Sequence, residues 1–273
     1  MKRWASAWCA FALGVLVAWS GCGKKGSPGT VTAKQPIGAE TGSAESGSPS
    51  PGQGESTEEK YKVAYVRSAQ AFARNDLEGA IKFLDAADQA KPNQANNANL
   101  RGAIYTRQRD WSKAEAAFRE SLRLQPDMPM AQFNLGEVLF LNNKYAEARE
   151  RFQIFLNSEP KNDLGLYKIY LCDLLGGNQA KANEFLTQLQ PNPSSPLFYF
   201  SKAAEAFAQD NKTAGMEFVN SAYRIYPPDA NATFADSLVE KGYLRGEQAQ
   251  VIPEEDKKTR TKELESLLPG VKK

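Results

Sequence analysis

Apolar and polar residues follow three different plans along this 273-residue chain. Residues 4–19 are uncharged and mostly apolar, behind Lys2 and Arg3. Residues 23–58 hold no aromatic side chain and only Val31 and Ile37 as large aliphatics. From about residue 61 apolar positions recur three or four apart, the spacing of one helix face. That pattern itself recurs every 34 residues: Ala80, Ala114, Ala148 and Ala182; Leu84, Phe118, Phe152 and Leu186; Pro92, Pro126 and Pro160; Leu77, Trp111 and Tyr145; Gly102 and Gly136. A further step of 33 brings Gly215, Val219 and Pro227 into the same columns. Self-similarity at such a period is the signature of a repeat architecture.

Each unit predicts two helices. In the third, Met130–Leu141 places Phe133, Leu135, Val138, Leu139 and Leu141 at helical spacing, and Asn142-Asn143-Lys144 interrupts it. Tyr145–Leu156 then carries Ala148, Phe152 and Phe155 before Pro160 stops the second helix. Small residues sit where two helices cross closely, and the large residue one turn on fills the space beside them. Proline cannot continue the helix and sets the turn between units.

Gly102, Tyr105, Trp111, Ala114, Phe118 and Pro126, then Leu135, Gly136, Tyr145, Ala148, Phe152 and Pro160, resemble the tetratricopeptide repeat. The resemblance implies an all-α, right-handed solenoid of about five helix pairs, with units at 61–94, 95–128, 129–162, 163–195 and 196–228. The fourth unit departs from the pattern, with Tyr170 where glycine is expected and Ser194 where proline is. A helix over 231–244, with Phe234, Ala235, Leu238, Val239 and Tyr243 on one side, is expected to cap the last apolar face. The solenoid is thus placed at 59–245, and a charged tail at 246–273, with a possible short helix over 254–268 left even with disorder.

The N-terminal segment has the basic start and apolar core of a signal peptide. Its end, Trp19-Ser20-Gly21-Cys22, resembles the lipobox of bacterial lipoproteins, although Trp19 stands where an aliphatic residue is usual. The resemblance implies removal of residues 1–21 and acylation of Cys22. Cleavage after Ser20, giving a secreted or periplasmic protein, and an uncleaved anchor remain alternatives. Gly23 is not the aspartate that marks inner-membrane retention in some bacteria, so the resemblance leans to an outer-membrane destination facing the periplasm. Residues 22–58 read as a tether: eight Gly, six Ser and four Pro make up half of 23–58. Such a segment cannot bury enough apolar surface to offset its ordering entropy. As a flexible chain it spans roughly 30–36 Å.

Composition narrows the chemistry. There is no histidine, and the cysteines are only Cys9, Cys22 and Cys172. The commonest general acid–base group and the commonest metal ligand are therefore missing, and no CxxC site exists. GxSxG, P-loop and dinucleotide fingerprints are also missing. Without Lys2 and Arg3 the charge balance is 32 basic against 32 acidic residues, which offers no footprint for nucleic acid. The expectation is a non-enzymatic protein without cofactor or metal, Cys172 being a small buried hydrophobe.

In tetratricopeptide stacks the first helix of each unit lines the concave face. The matching columns are Tyr65, Asn99, Phe133, Tyr167 and Phe200, and Phe72, Thr106, Phe140, Leu174 and Phe207; seven of these ten are aromatic. Aromatic walls give large contact area at low entropy cost. One reading is a groove for a protein or peptide of the envelope, formed by Tyr65, Phe72, Phe133, Phe140, Tyr167, Phe200 and Phe207. Another is that these residues touch each other, or that the 231–244 helix folds into the groove. A small-ligand or lipid-binding lipoprotein is the alternative function. The basic and amide residues that clamp a C-terminal carboxylate in some cytosolic family members are not reproduced.

Overall fold

A computed structural model describes residues 56–246. They form eleven α-helices: α1 Thr57–Ala73, α2 Leu77–Ala90, α3 Ala95–Arg107, α4 Trp111–Leu124, α5 Pro129–Leu141, α6 Tyr145–Ser158, α7 Asp163–Leu175, α8 Gln179–Gln188, α9 Leu197–Ala208, α10 Lys212–Ile225 and α11 Pro228–Glu240. The first ten pair off as the period predicts, and the stack is an all-α solenoid. The signal segment, Cys22, most of the tether and the tail from 247 lie outside the described residues. None of the described helices is long and apolar enough to cross a membrane.

The turn inside each pair is built the same way five times. Asn75, Arg109, Asn143, Gly177 and Asp210 occupy this position, each with positive φ. Glycine, asparagine and aspartate enter the left-handed region at least cost, so Arg109 is the exception. The next residue starts the second helix. Asp76 accepts from the Gly79 N–H at 2.9 Å, Asp110 from Lys113 at 3.2 Å and Asn211 from Ala214 at 3.1 Å, meeting otherwise orphaned donors.

In the second and third pairs a small residue on the first helix faces a large one on the second. A Cβ on Gly102 would lie 2.6 Å from the Phe118 ring, and one on Gly136 would lie 2.8 Å from Phe152. The fourth unit inverts the volumes. Tyr170 takes the glycine column and Leu186 the phenylalanine column, both buried. Tyr170 stacks on Phe185 at 5.2 Å and donates its hydroxyl to the Ser201 carbonyl at 3.1 Å, so the ring that departs from the repeat pattern ties the fourth unit to the fifth. Its second helix, α8, has 10 residues where the other second helices have 14. Pro191 disfavours helical backbone in the residue before it and cuts α8 short.

Two boundaries differ from expectation. The tether does not run to residue 58: α1 begins at Thr57 because Ser56 and Glu59 form a reciprocal capping box. The last helix is Pro228–Glu240 rather than 231–244. Pro228 suits a first helical turn, where its missing N–H costs nothing. Gly242 at φ 76° ends the helix, its N–H bonding the Val239 carbonyl while the Tyr243 N–H bonds that of Leu238. These two bonds make a Schellman stop.

Candidate functional site

The concave wall is formed by α1, α3, α5, α7 and α9, and α11 lies across it. Phe234 of α11 packs on Tyr167 at 5.2 Å and on Phe200 at 5.8 Å between ring centroids. Tyr243, just past α11, stacks on Phe207 at 5.6 Å with planes 9° apart. Lys241 donates to the Phe140 carbonyl at 2.7 Å, and Glu240 meets Arg109 at 3.3 Å. The helix therefore touches units five, four, three and two in turn.

Of the two readings left open for the aromatic columns, the burial agrees with the second, in which these residues pack on neighbours and the C-terminal helix folds into the groove. Phe72, Phe133, Phe140, Tyr167, Phe200 and Phe207 are all buried, and Tyr65 is half-buried beside Tyr61. Phe133 is held by its own unit, edge-on to Phe152 at 5.3 Å and Phe155 at 5.0 Å. Phe72 lies under the Arg107 guanidinium at 4.0 Å. Tyr167, Phe200 and Phe207 are covered by the C-terminal helix and the turn after it. The structure thus places the seven along one wall but spends most of their surface on packing. Burial pushes the Tyr65 hydroxyl up to about 12.

Polar side chains share the wall. Asn134 donates to Asn99 at 3.0 Å across two units, and Thr106 donates back to the Gly102 carbonyl at 2.8 Å. Lys168 and Glu137 make a buried ion pair at 2.8 Å, with side chains 6% and 11% exposed. Asp236 of α11 lines the same cavity. Burial raises its carboxyl to about 6, the acids Glu240 and Glu137 pushing the same way and Lys168 opposing them. Burial, with Lys168 nearby, lowers Lys241 to about 8. An open cleft of about 250 Å³ remains between α11 and the N-terminal units, lined by Thr106, Arg107, Arg109, Trp111, Leu141, Asp236 and Glu240.

Column reading missed Glu137, Lys168, Lys241 and Arg109. A signal existed for the first: Glu137 is the one charge in α5, an otherwise uncharged helix. Cys172 is free and buried, its thiol pushed upward by desolvation. Among the described residues no group of three or more Cys, Asp or Glu could hold a metal ion.

Comparison with known proteins agrees with this architecture. Residues 100–162, the second and third units, match the family model for the tetratricopeptide repeat. A curated relative, the DnaJ homolog subfamily C member 7 homolog of Schizosaccharomyces pombe, is 25% identical over 119 residues. That match covers 39% of this chain and 25% of the relative's length. Among solved structures, PilW, described as a widely conserved type IV pilus biogenesis factor, superposes with a TM-score of 0.52 at 17% identity, covering 78% of this chain and 95% of PilW. MamA from Desulfovibrio magneticus RS-1 gives 0.51 at 18% identity, over 60% of this chain and 93% of that structure.

Proposed function

We propose that this protein is a lipid-anchored, non-enzymatic scaffold of the bacterial envelope that binds a protein partner along its concave face. Cys22 would carry the acyl chains, residues 22–55 would hold the solenoid clear of the membrane, and Tyr167, Phe200 and Phe207, the rings that the C-terminal segment covers, would form the wall against which the partner lies. The observation that carries this reading is that the wall already accepts a helix. Phe234 of α11 is buried against it, between Tyr167 and Phe200, the way an amphipathic helix lays its apolar face into a groove. A small-molecule role is the weaker reading: the 250 Å³ cleft left open is below the roughly 300–1,000 Å³ of ordinary ligand pockets. Pilus biogenesis, the role in PilW's description, is one process such a scaffold could serve; the choice among envelope processes rests on the partner.

Two experiments test it. Labelled fatty acid should enter the wild-type chain and not Cys22→Ser; equal labelling of both, or none in either, removes the anchor. A photo-crosslinking residue at Trp111 or Leu141, in the open cleft, should capture a discrete envelope protein that the same probe at Ile154 does not. Ile154 is 39% exposed on a second helix, away from the concave wall. Equal capture at Ile154, or none at the cleft, removes the groove.

A further inference from the structure

We propose that α11 is a displaceable strap, and that the helix replacing it is an amphipathic partner segment with an aromatic residue, an aliphatic one four positions on and a lysine three positions after that. The lysine enters an ammonium site built by Phe140, Asn143 and Tyr145. The proposal rests on the concave face being the binding surface and names what binds there.

The course of α11 is the first ground. A helix that only closed the stack would need to touch α9 and α10. This one runs back over four units, placing Phe234 between Tyr167 and Phe200 and bringing Glu240 to Arg109, 131 residues earlier. Phe234, Leu238 and Lys241 stand at i, i+4 and i+7, one face of a helix; Phe234 and Lys241 meet the wall, and Leu238 on the same face is fully buried.

The ammonium site is the second ground. Lys241 Nζ lies 4.3 Å from the Phe140 ring centroid and 4.8 Å from that of Tyr145. It donates to the Phe140 carbonyl at 2.7 Å and to Asn143 Oδ1 at 2.8 Å. The Tyr145 hydroxyl donates to the same Oδ1 at 2.8 Å, which orients the amide oxygen. The Phe140 carbonyl belongs to the last turn of α5, where backbone dipoles favour a cation. Two aromatic faces with two oxygens form a recognition pattern for an ammonium group. All of these atoms except the lysine belong to the α5–α6 turn, which the repeat builds independently of α11.

The seat of α11 is imperfect, which is the third ground. Ser237 Oγ is buried without a hydrogen-bond partner, as is Ser201 Oγ on α9. Such groups are costly where the contact excludes water. Asp236 is also withdrawn from water next to a cavity that holds Glu137. A helix presenting apolar atoms at these places would bind the same wall more tightly than α11 does.

The probe is a synthetic peptide of residues 227–245, added to the full chain in detergent. The variant Phe234→Ala/Leu238→Ala loosens the strap and should bind the peptide at least about tenfold more tightly than wild type, since an occupied groove lowers apparent affinity by its open fraction. A Lys241→Met peptide should lose about five- to tenfold on the same variant, in the range of one partly buried cation–aromatic contact. Equal binding by wild type and variant, or no effect of the lysine, overturns the proposal. Hydrogen exchange on wild type needs no variant. The α11 amides should exchange at least about a hundredfold faster than those of α9 and α10, through an opening that leaves the stack folded. Equal protection of all three overturns the strap. Light scattering that shows two chains with α11 exchanged would replace the partner by a second copy. Neither readout uses an envelope partner, so capture at Trp111 with a fully protected α11 would sink the strap and leave the groove standing.

Discussion

The contact inside each helix pair and the contact between α11 and the concave wall are built on opposite terms. Inside a pair, close approach is dry and shape-matched: Gly102 admits the ring of Phe118, Gly136 that of Phe152, and Ala148 is fully buried in the same layer. Under α11, rings of the wall meet Phe234 and Tyr243, but an ion pair, a raised carboxyl and unpartnered hydroxyls share the interface. The first contact uses neighbours fixed by one unit's own sequence. The second joins residues up to 131 apart and follows no period. The first kind is expected to carry most of the stability, and the second is the contact that the strap proposal opens.

Substitutions inside the pairs should therefore have the largest effects. Phe118→Ala removes a fully buried ring beside Gly102 and should cost about 3–5 kcal/mol in a denaturant melt. Ala148→Leu overpacks a fully buried crossing and should cost roughly 1–3 kcal/mol. The same size of loss is expected for Gly136→Ala, whose new methyl would sit 2.8 Å from Phe152 and force the ring aside. Gly136→Ala with Phe152→Leu copies the volume balance of Tyr170 and Leu186, and should be less damaged than the two single losses added together. Simple additivity in a double-mutant cycle would show that the two columns do not exchange volume.

That asymmetry also explains what was legible in the residues. The helix pairs, the turns and the Gly/Phe columns could be read because a 34-residue period repeats a local packing problem, and each solution shows in side-chain size. Tyr170 broke the pattern visibly, but its stacking on Phe185 and bond to Ser201 required the fold. The seven aromatic residues were correctly placed in columns on the first helices. Whether they were exposed or covered by the C-terminal helix stayed open between two readings, because the path of that non-repeating helix is set by distant groups. The start of α11 escaped because Pro227-Pro228 reads as a stop, whereas Pro228 serves as a first helical residue. Glu137 was visible as a lone charge, but its partner Lys168 sits 31 residues on, off the column spacing.

The strap should respond to pH where the pairs do not. Burial raises the Asp236 carboxyl from 3.8 to about 6. A carboxyl raised on docking is neutral and least costly at low pH, so its contribution to docking is full below about 4 and is lost as the pH rises through about 6. The groups facing it are Glu137, Lys168, Glu240 and, across the open cleft, Arg107 and Arg109. Lys241, lowered to about 8, keeps nearly all its charge up to about pH 6.5. Hydrogen exchange of α11 should therefore be slower at pH 5 than at pH 6.5 after correction for intrinsic rates, and Asp236→Asn should flatten the difference. A pH-independent α11, or a dependence that survives the substitution, would remove Asp236 as the cause.

The smallest expected effect tests the far end of the strap. Arg109 sits at φ 61°, in the turn position that three other units fill with Asn or Asp and the fourth with glycine. Left-handed backbone costs an ordinary residue about 1–2 kcal/mol, and asparagine tolerates it better. Its ion pair with Glu240 is 3.3 Å long, on an arginine side chain that is 61% exposed. Exposed pairs of this kind contribute about 0–1 kcal/mol. Arg109→Asn should therefore leave the melt of the stack unchanged or raise it by up to about 1 kcal/mol, because relief of the turn offsets loss of the pair. At the same time α11 loses its ion pair with the second unit. The α11 amides should exchange a few-fold faster while those of α3 and α4 do not. A lower melt with unchanged α11 exchange would mean that Arg109 serves the repeat and not the strap, and that the helix is held by Phe234, Leu238 and Lys241 alone.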